Sequence, residues 1–310
     1  MGKLAFIFPG QGSQYSGMGK DFYDNFKEAK EVYDLANDVT DVDVRAICFG
    51  TDEKINQTEY TQVAMFTTEM AILEVIKSKG FKPDICAGLS LGEYGALYLA
   101  GVLPLDKLMY LVRKRGIYMQ DAYPVGGAMT AVIGMEPEIV EKACEEASKE
   151  AEGVVKVANY NCPGQLVISG ADFAVKKAME RLAEAGAKRC IPLNVSGPFH
   201  TELLKVASEK LTDEMNNLEF SNPTIPYYSN VEATLVEVAD GIKEMLAKQM
   251  ISSVCFWQSI EKMIADGVDT FVEIGPGKSL SGFVKRINKE VKIINIDKVE
   301  DLAKLEEITC

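Results

Sequence analysis

The chain has 310 residues, 47% hydrophobic and 25% charged, enough to bury a large core in one big domain with a smaller one beside it. Its 46 Asp and Glu against 33 Lys and Arg leave a formal charge of -13, which repels nucleic-acid phosphates and anionic lipid alike, so neither nucleic acid nor membrane is an expected partner. No basic N-terminal segment leads into an apolar stretch, no run reaches spanning length, and the seven cysteines are scattered without C-x-x-C spacing; the expectation is a cytoplasmic protein with no disulfide framework, no metal site and no cofactor.

KLAFIFPGQGSQYSGMG, residues 3–19, reads as a buried strand that stops at Pro9, opens into a glycine-rich loop and passes into a helix from about Asp21. The loop lacks the G-K-[ST] ending of a P-loop and does not fit G-x-G-x-x-G, which disfavours nucleotide. A helix over 59–79 precedes DICAGLSLGEYGALYLAG, residues 84–101, where an apolar strand ends in G-x-S-x-G and runs into Ala/Leu-rich sequence. As a bare pattern G-x-S-x-G is often an ordinary tight turn. Between a strand at 84–89 and a helix at 91–100 it also fits a sharp elbow that lifts the Ser90 hydroxyl out of the chain, with Gly88 and Gly92 flanking it because a Cβ at either position would obstruct the turn.

Pro104 starts the next helix, 105–121. Leu108, Leu111, Val112, Tyr118 and Met119 fall on one face of it, and Arg115 lies in that apolar stripe. A guanidinium aimed inward needs an anionic partner, because an unpaired buried charge is costly. Either a local carboxylate or a substrate anion meets the need. From about 126 to 194 the pattern becomes β-α-β-β-α-β, the ferredoxin-like order, flanked by a larger α/β domain at 1–125 and 195–310. The cleft between two such units is a favoured ligand site. After Pro198 come a helix at 201–218, a β-rich stretch PTIPYYSNVEATLV, helices near 240–250 and 257–266, strand DTFVEIG, a helix at 278–288 and strand KIINI.

His200 is the chain's single histidine. It reads either as a helix-start residue bonded to a carbonyl or as the base that a serine nucleophile requires, and the absence of any other imidazole favours a Ser90–His200 pair.

PGQGSQ at 9–14, GLSLGEY at 88–94, Arg115, GPFH at 197–200, Gln249 shortly before Trp257, and EIGPGKSL at 273–280 together resemble the malonyl-CoA:acyl carrier protein transacylases of type II fatty acid synthesis, in order and over nearly the whole chain. The resemblance implies an α/β-hydrolase-like core with a mainly parallel sheet and an inserted ferredoxin-like subdomain, a malonyl-serine intermediate, and two partners, malonyl-CoA and acyl carrier protein. It further implies Ser90 as nucleophile, His200 as general base oriented by the main-chain carbonyl of Gln249, and the backbone N–H groups of Gln11 and Leu91 as oxyanion hole. Arg115 then holds the malonyl carboxylate, Gln62 and Phe199 line the acyl pocket, and Phe199 limits room for an α-methyl group. Lys188, Arg189, Lys285 and Arg286 are candidates for docking the acidic carrier protein. Many relatives carry histidine where this chain has Leu89, which alters packing behind the elbow while leaving the base in place. Two other readings compete: a hydrolase in Ser–Asp–His order, for which Asp106, Asp121 and Asp172 are available, and a non-catalytic docking subunit. Arg115 argues against the first, and the intact Ser, His and Arg set against the second.

Overall fold

The computed structural model describes residues 2–308 except 52 and 196, so Cys310 lies outside the described residues. Strands are numbered β1–β10 and helices α1–α12 along the described chain. The first apolar run is β1 (Lys3–Phe8), whose Ala5, Phe6, Ile7 and Phe8 are fully buried. A strand apolar on both faces needs cover on both, and β1 accordingly sits inside the larger sheet. That sheet runs β10-β9-β1-β2-β7-β8, in which β2 is Ile85–Gly88, β7 Tyr227–Tyr228, β8 Leu235–Val236, β9 Val268–Ile274 and β10 Lys292–Ile296. All its pairings are parallel except β7 with β8. The stretch expected to be β-rich supplies only those last two short strands. Pro223 and Pro226 remove ladder donors there, and the chain beyond Tyr228 bends away to place Asn230 under the serine turn.

The smaller sheet is antiparallel throughout, in the order β4-β5-β3-β6. Here β3 is Gly127–Ile133, β4 Val155–Cys162, β5 Gln165–Ala171 and β6 Arg189–Pro192, with α7 (Pro137–Ala151) and α8 (Asp172–Glu184) on one face. This is the ferredoxin-like arrangement expected from the element order. It closes its own core around Val140, Leu166, Ile168 and Leu182. The smaller sheet is tied to the segment ahead of Phe256–Ala265, where Val254 donates its N–H to Ala158 O at 2.8 Å and its carbonyl accepts from Tyr160 N at 2.9 Å.

Helices cover the larger sheet. The longest, α4 (Thr58–Ser78), is buried around most of its circumference from Thr61 to Ile76 and packs against α6 (Leu105–Ala122). The crossing is tight at Gly116, where an added Cβ would lie 3.1 Å from both Glu59 Cα and Thr58 O. The single helix expected from Asp21 resolves into α1 (Lys20–Asn25), α2 (Lys27–Val39) and α3 (Val44–Phe49), with Phe26 in extended backbone between the first two. The helix expected from 201 is instead a 3-10 turn, Glu202–Leu204, followed by α9 (Lys205–Asn216). His200 explains the delay, since its φ of 63° turns the chain before a helix can start. The remaining helices are α5 (Gly92–Leu99), α10 (Ile242–Gln249), α11 (Phe256–Ala265) and α12 (Ser279–Ile287), and a 3-10 segment, Val299–Ile308, which no sequence pattern announced, ends the described chain. No helix among the described residues is long and apolar enough to cross a membrane.

Candidate active site

β2 delivers the chain to Leu89 and Ser90, and α5 carries it away, so the serine sits on a strand-to-helix elbow. Its φ of 54° is a left-handed conformation that costs a non-glycine residue on the order of 1–3 kcal/mol. The flanking glycines follow from sterics: a Cβ on Gly88 would fall 2.0 Å from the Gly92 carbonyl, and one on Gly92 would fall 2.1 Å from Phe8 O. Asn230 holds the strained turn from below, accepting from Ser90 N at 2.6 Å while its amide donates to Gly88 O at 2.6 Å.

His200 Nε2 lies 2.8 Å from Ser90 Oγ, and Nδ1 lies 2.7 Å from the carbonyl oxygen of Gln249. A carbonyl can only accept, so Nδ1 carries the hydrogen and the Nε2 lone pair faces the serine hydroxyl. Burial, then the charge of Arg115, lowers the imidazole to about 4, and the hydrogen bond to Gln249 opposes this only in part. The ring is therefore neutral near pH 7 and able to take a proton. The contact with a main-chain oxygen leaves none of Asp106, Asp121 or Asp172 bonded to the histidine.

Arg115 is fully buried. Its Nη2 donates to Ser90 Oγ at 3.1 Å and to Gln249 Oε1 at 2.8 Å, and Nη1 donates to Gln62 Oε1 at 2.6 Å. The guanidinium stacks 5.3 Å from the Tyr94 ring centroid, and its Nε has no partner. Among the described residues no carboxylate lies within ion-pair distance of it. Two positions earlier on the same helix, Arg113 shows the other solution, paired to Asp41 at 2.6 Å and to Glu59 at 3.2 Å. One arginine is structurally neutralised; the other keeps its charge beside the serine.

Ser90 and His200 open onto a cavity of about 200 Å³, lined also by Gln11, Leu91 and Phe199 from the elbow and loops of the larger unit and by Met129, Asn161 and Gln165 from the smaller sheet, while Arg115 lies behind Ser90 and Gln62 and is not itself among the lining residues. Leu91 is the N-cap of α5, where backbone N–H groups have no intrahelical acceptor, and Gln11 belongs to the glycine-rich loop, placed beside the elbow by a 3.0 Å bond from its side chain to Thr58. Gln62 lines the same cavity. Leu89, expected to affect only packing behind the elbow, in fact lines the cavity beside Ser90 as well as packing, partly buried, against the cluster that includes Phe256 and Leu280. The four docking candidates are exposed. Arg286 bonds Gln165 at 2.9 Å, at the cavity lining, while Lys188 and Arg189 lie at the start of the edge strand β6. Three site residues had no assignment from sequence. Asn230 lies in irregular chain with no motif, Asn161 on a strand whose inward face is not legible without the neighbouring sheet, and Glu93, inside GLSLGEY, gives no sign of its burial. No cluster of metal-binding side chains occurs among the described residues.

Residues 5–303 match the family described as the acyl transferase domain. A curated relative, the malonyl CoA-acyl carrier protein transacylase of Bacillus subtilis, is 45% identical over 304 residues, 97% of this chain and 96% of its own. The crystal structure of malonyl CoA-acyl carrier protein transacylase from Clostridium perfringens superposes with a TM-score of 0.94 at 47% identity, covering 99% of this chain and 98% of that one. A complex of a type II PKS acyl-carrier protein with its malonyl-transacylase contributes a chain with a TM-score of 0.95 at 36% identity, 99% of each chain being covered.

Proposed function

The chain belongs to the acyl transferase family and groups with its malonyl-CoA:acyl carrier protein transacylases, and from that footing we propose which of its atoms carry the reaction. The protein transfers malonyl from coenzyme A to the phosphopantetheine thiol of acyl carrier protein, a step of fatty acid biosynthesis. In the first half-reaction Ser90 Oγ attacks the thioester carbonyl while His200 Nε2 takes its proton. The N–H groups of Gln11 and Leu91 hold the oxyanion, the C–S bond breaks, and His200 returns the proton to the departing thiolate. The second half-reaction runs the same steps backward, with the carrier-protein thiol giving its proton to His200 and attacking the malonyl ester. Gln249 keeps the imidazole in the required tautomer through its main-chain oxygen. Arg115 receives the malonyl carboxylate, with Gln62 fixing the plane of the guanidinium and Phe199 closing the pocket beside it.

The observation that carries this reading is Arg115, a buried cation 3.1 Å from Ser90 Oγ whose hydrogen-bond partners are neutral oxygens. A planar fork of donors without a carboxylate is complementary to one brought by substrate. We also propose that residues 126–194 act as a separate subdomain forming one wall of the cleft, which their own hydrophobic core supports. The six described cysteines are free, which supports a cytoplasmic place of action.

Intact mass after brief exposure to malonyl-CoA without acceptor tests the assignment. A malonyl adduct on the wild-type chain that is absent from Ser90→Ala is expected. Free malonate without an adduct would point to a hydrolase, and neither product to a docking protein.

A further inference from the structure

Glu93 is the buried acid of this site that the transfer chemistry does not use. It sits on the first turn of α5, three residues past the nucleophile, and is 1% exposed. Its Oε2 accepts from Gln249 Nε2 at 2.6 Å and from Asn230 N at 3.3 Å. The other end of the same Gln249 amide accepts from Arg115 Nη2 at 2.8 Å, and its nitrogen also donates to Ser90 O at 2.9 Å. One glutamine side chain therefore stands between a buried carboxyl and a buried guanidinium, its nitrogen toward the first and its oxygen toward the second. The arrangement is that of an ion pair with a neutral spacer in the middle.

The surroundings leave this relay electrically simple. Facing Glu93 from the packed elements are Arg115 on α6, Cys86 on β2, Tyr227 on β7 and, on its own helix, Tyr94; Glu69 faces the same core from α4, and His200 lies beyond Gln249. Burial holds Cys86, Tyr227, Tyr94 and Glu69 in their protonated, neutral forms and His200 in its neutral form near pH 7. Glu74, farther along α4, is engaged by Tyr98 and Lys77 toward the far end of α5. Among the described groups that face Glu93, Arg115 is the one that carries a charge near pH 7; Glu273 on β9, also buried and raised to about 7, is held instead by the N–H groups of Leu280 and Ser281 and the Ser281 hydroxyl.

We propose that Glu93 is the proton-accepting counter-charge of the carboxylate pocket: it balances Arg115 through Gln249 while the pocket is empty, and takes up a proton from solvent when the malonyl carboxylate occupies Arg115. The inference rests on the reading that Arg115 binds that carboxylate. Two carboxylates sharing one guanidinium in a water-poor site leave an uncompensated negative charge, and the cheaper resolution is protonation of the acid with the weaker partners. The substrate carboxylate has the fork of the guanidinium, whereas Glu93 has an amide and a backbone N–H. Burial already raises Glu93 to about 7, opposed by the bonds from Gln249 and Asn230 and by the charge of Arg115, so loss of that charge's influence pushes it higher still. Proton uptake on binding must then occur above pH 7 and vanish well below it, where Glu93 is already protonated. As a consequence, malonyl affinity falls as pH rises above 7, by at most about tenfold per unit for one linked proton, while acetyl affinity stays flat. Glu93 acts here through Gln249 and is a positioning residue that touches no substrate atom.

The test uses the full-length Ser90→Ala protein, which binds without acyl transfer. Titration calorimetry with malonyl-CoA and with acetyl-CoA is run at pH 8 and pH 5.5 in buffers of different ionisation enthalpy, so that the dependence of heat on buffer counts protons. Expected is uptake of roughly half to one proton for malonyl-CoA at pH 8, little at pH 5.5, and none for acetyl-CoA, which carries the same coenzyme phosphates. Adding Glu93→Gln should abolish the uptake and flatten the pH dependence of malonyl affinity while binding itself persists. Malonyl-CoA that binds in preference to acetyl-CoA with no buffer-dependent heat, or uptake that survives Glu93→Gln, overturns the proposal and leaves the Arg115 reading standing. Equal affinity for the two coenzyme A esters, unchanged by Arg115→Ala, overturns the Arg115 reading itself. Should Glu93→Gln fail to fold, the malonyl against acetyl comparison at the two pH values on the Ser90→Ala protein decides the matter alone.

Discussion

His200 sets the acid side of the site's pH behaviour, as Glu93 sets the alkaline side of malonyl binding. The folded pKa of His200 is depressed, from an ordinary value of 6.5 to about 4. The sign follows: folding favours the neutral ring, so its contribution to stability is present above 6.5 and is lost as pH falls from there through about 4. The same shift predicts that kcat/KM for malonyl-CoA, which reports the free enzyme, keeps its base form down to about pH 4 to 5, well below the limb of an ordinary histidine. In the complex a carboxylate on Arg115 offsets the cation that helps depress the ring, so the acid limb of kcat should lie higher than that of kcat/KM. A pH–rate series on both parameters checks this, and coincident limbs would remove Arg115 as the second cause of the depression. His200→Ala should slow each half-reaction by a factor on the order of 100 to 10,000. Arg115 carries selectivity at the same scale. Arg115→Ala should cost malonyl-CoA roughly 3 to 5 kcal/mol in kcat/KM, the range for removing one partner of a buried charge pair, while acetyl-CoA loses less. Arg115→Lys should restore little, because an ammonium lacks the planar fork. The informative quantity is the ratio of the two substrates' kcat/KM values before and after substitution; proportional losses would make Arg115 a structural residue. Ser90, His200 and Arg115 were each legible beforehand because each broke a local expectation: a serine between glycines, a lone imidazole, a cation on an apolar face. Glu93 and Asn230 broke none, since a Glu on a helix and an Asn after a strand are common, and only the packing of α5, α10 and β7 reveals that they are buried.

At the scale of the element, the elbow is a junction where three backbones approach more closely than side chains allow. Gly92→Ala places a methyl 2.1 Å from Phe8 O and 2.7 Å from Pro9 O, so either β1 or α5 must move. The neighbours are main chain in the most buried part of the sheet and cannot swing aside. A loss of at least about 2 to 3 kcal/mol in urea-unfolding free energy is expected, together with loss of acyl-enzyme formation. Gly282→Ala on α12 is the control, because nothing lies within 4 Å of the added Cβ and the helix should gain about 0.5 to 1 kcal/mol. If both glycines tolerate alanine equally, the elbow is looser than the close approaches imply. Parallel strands and long helices were readable from continuous apolar runs and 3.6-residue periodicity, and the β-α-β-β-α-β order was enough to name the smaller sheet. Departures occur where tertiary demands override local pattern: Phe26 extends between two short helices, His200 turns left-handed ahead of α9, and Tyr227–Tyr228 pairs for two residues before the chain leaves to support Ser90.

Across the whole molecule, the proposed role of Ser90 makes the cavity beside it the place where a carrier protein must stand, because a tethered thiol would reach Ser90 through it. One wall is the elbow and glycine-rich loop, the other is the inner face of β3, β4 and β5. The formal charge of -13 repels an acidic partner as a whole, so productive docking needs basic residues at the rim of this opening. Lys285 and Arg286 follow Phe283, which lines the cavity, and Arg286 reaches across to Gln165 of the smaller sheet. Lys188 and Arg189 precede Leu193, which lines it from the opposite edge. A pair on each lip would place the carrier over the opening and orient its arm. Lys285→Glu with Arg286→Glu should raise the KM for acyl carrier protein and reduce its salt dependence while the first half-reaction, measured as burst formation of malonyl-enzyme, keeps its rate. The corresponding reversal at Lys188 and Arg189 tests the second lip on its own. Because Arg286 also bonds Gln165, its replacement by Gln separates the two roles: it removes the charge and retains a donor for that bond, so a KM rise with Arg286→Gln comparable to Arg286→Glu would trace the effect to lost charge on the lip. A reversal that slows both half-reactions equally would place that pair in the architecture of the cleft and not in the docking surface.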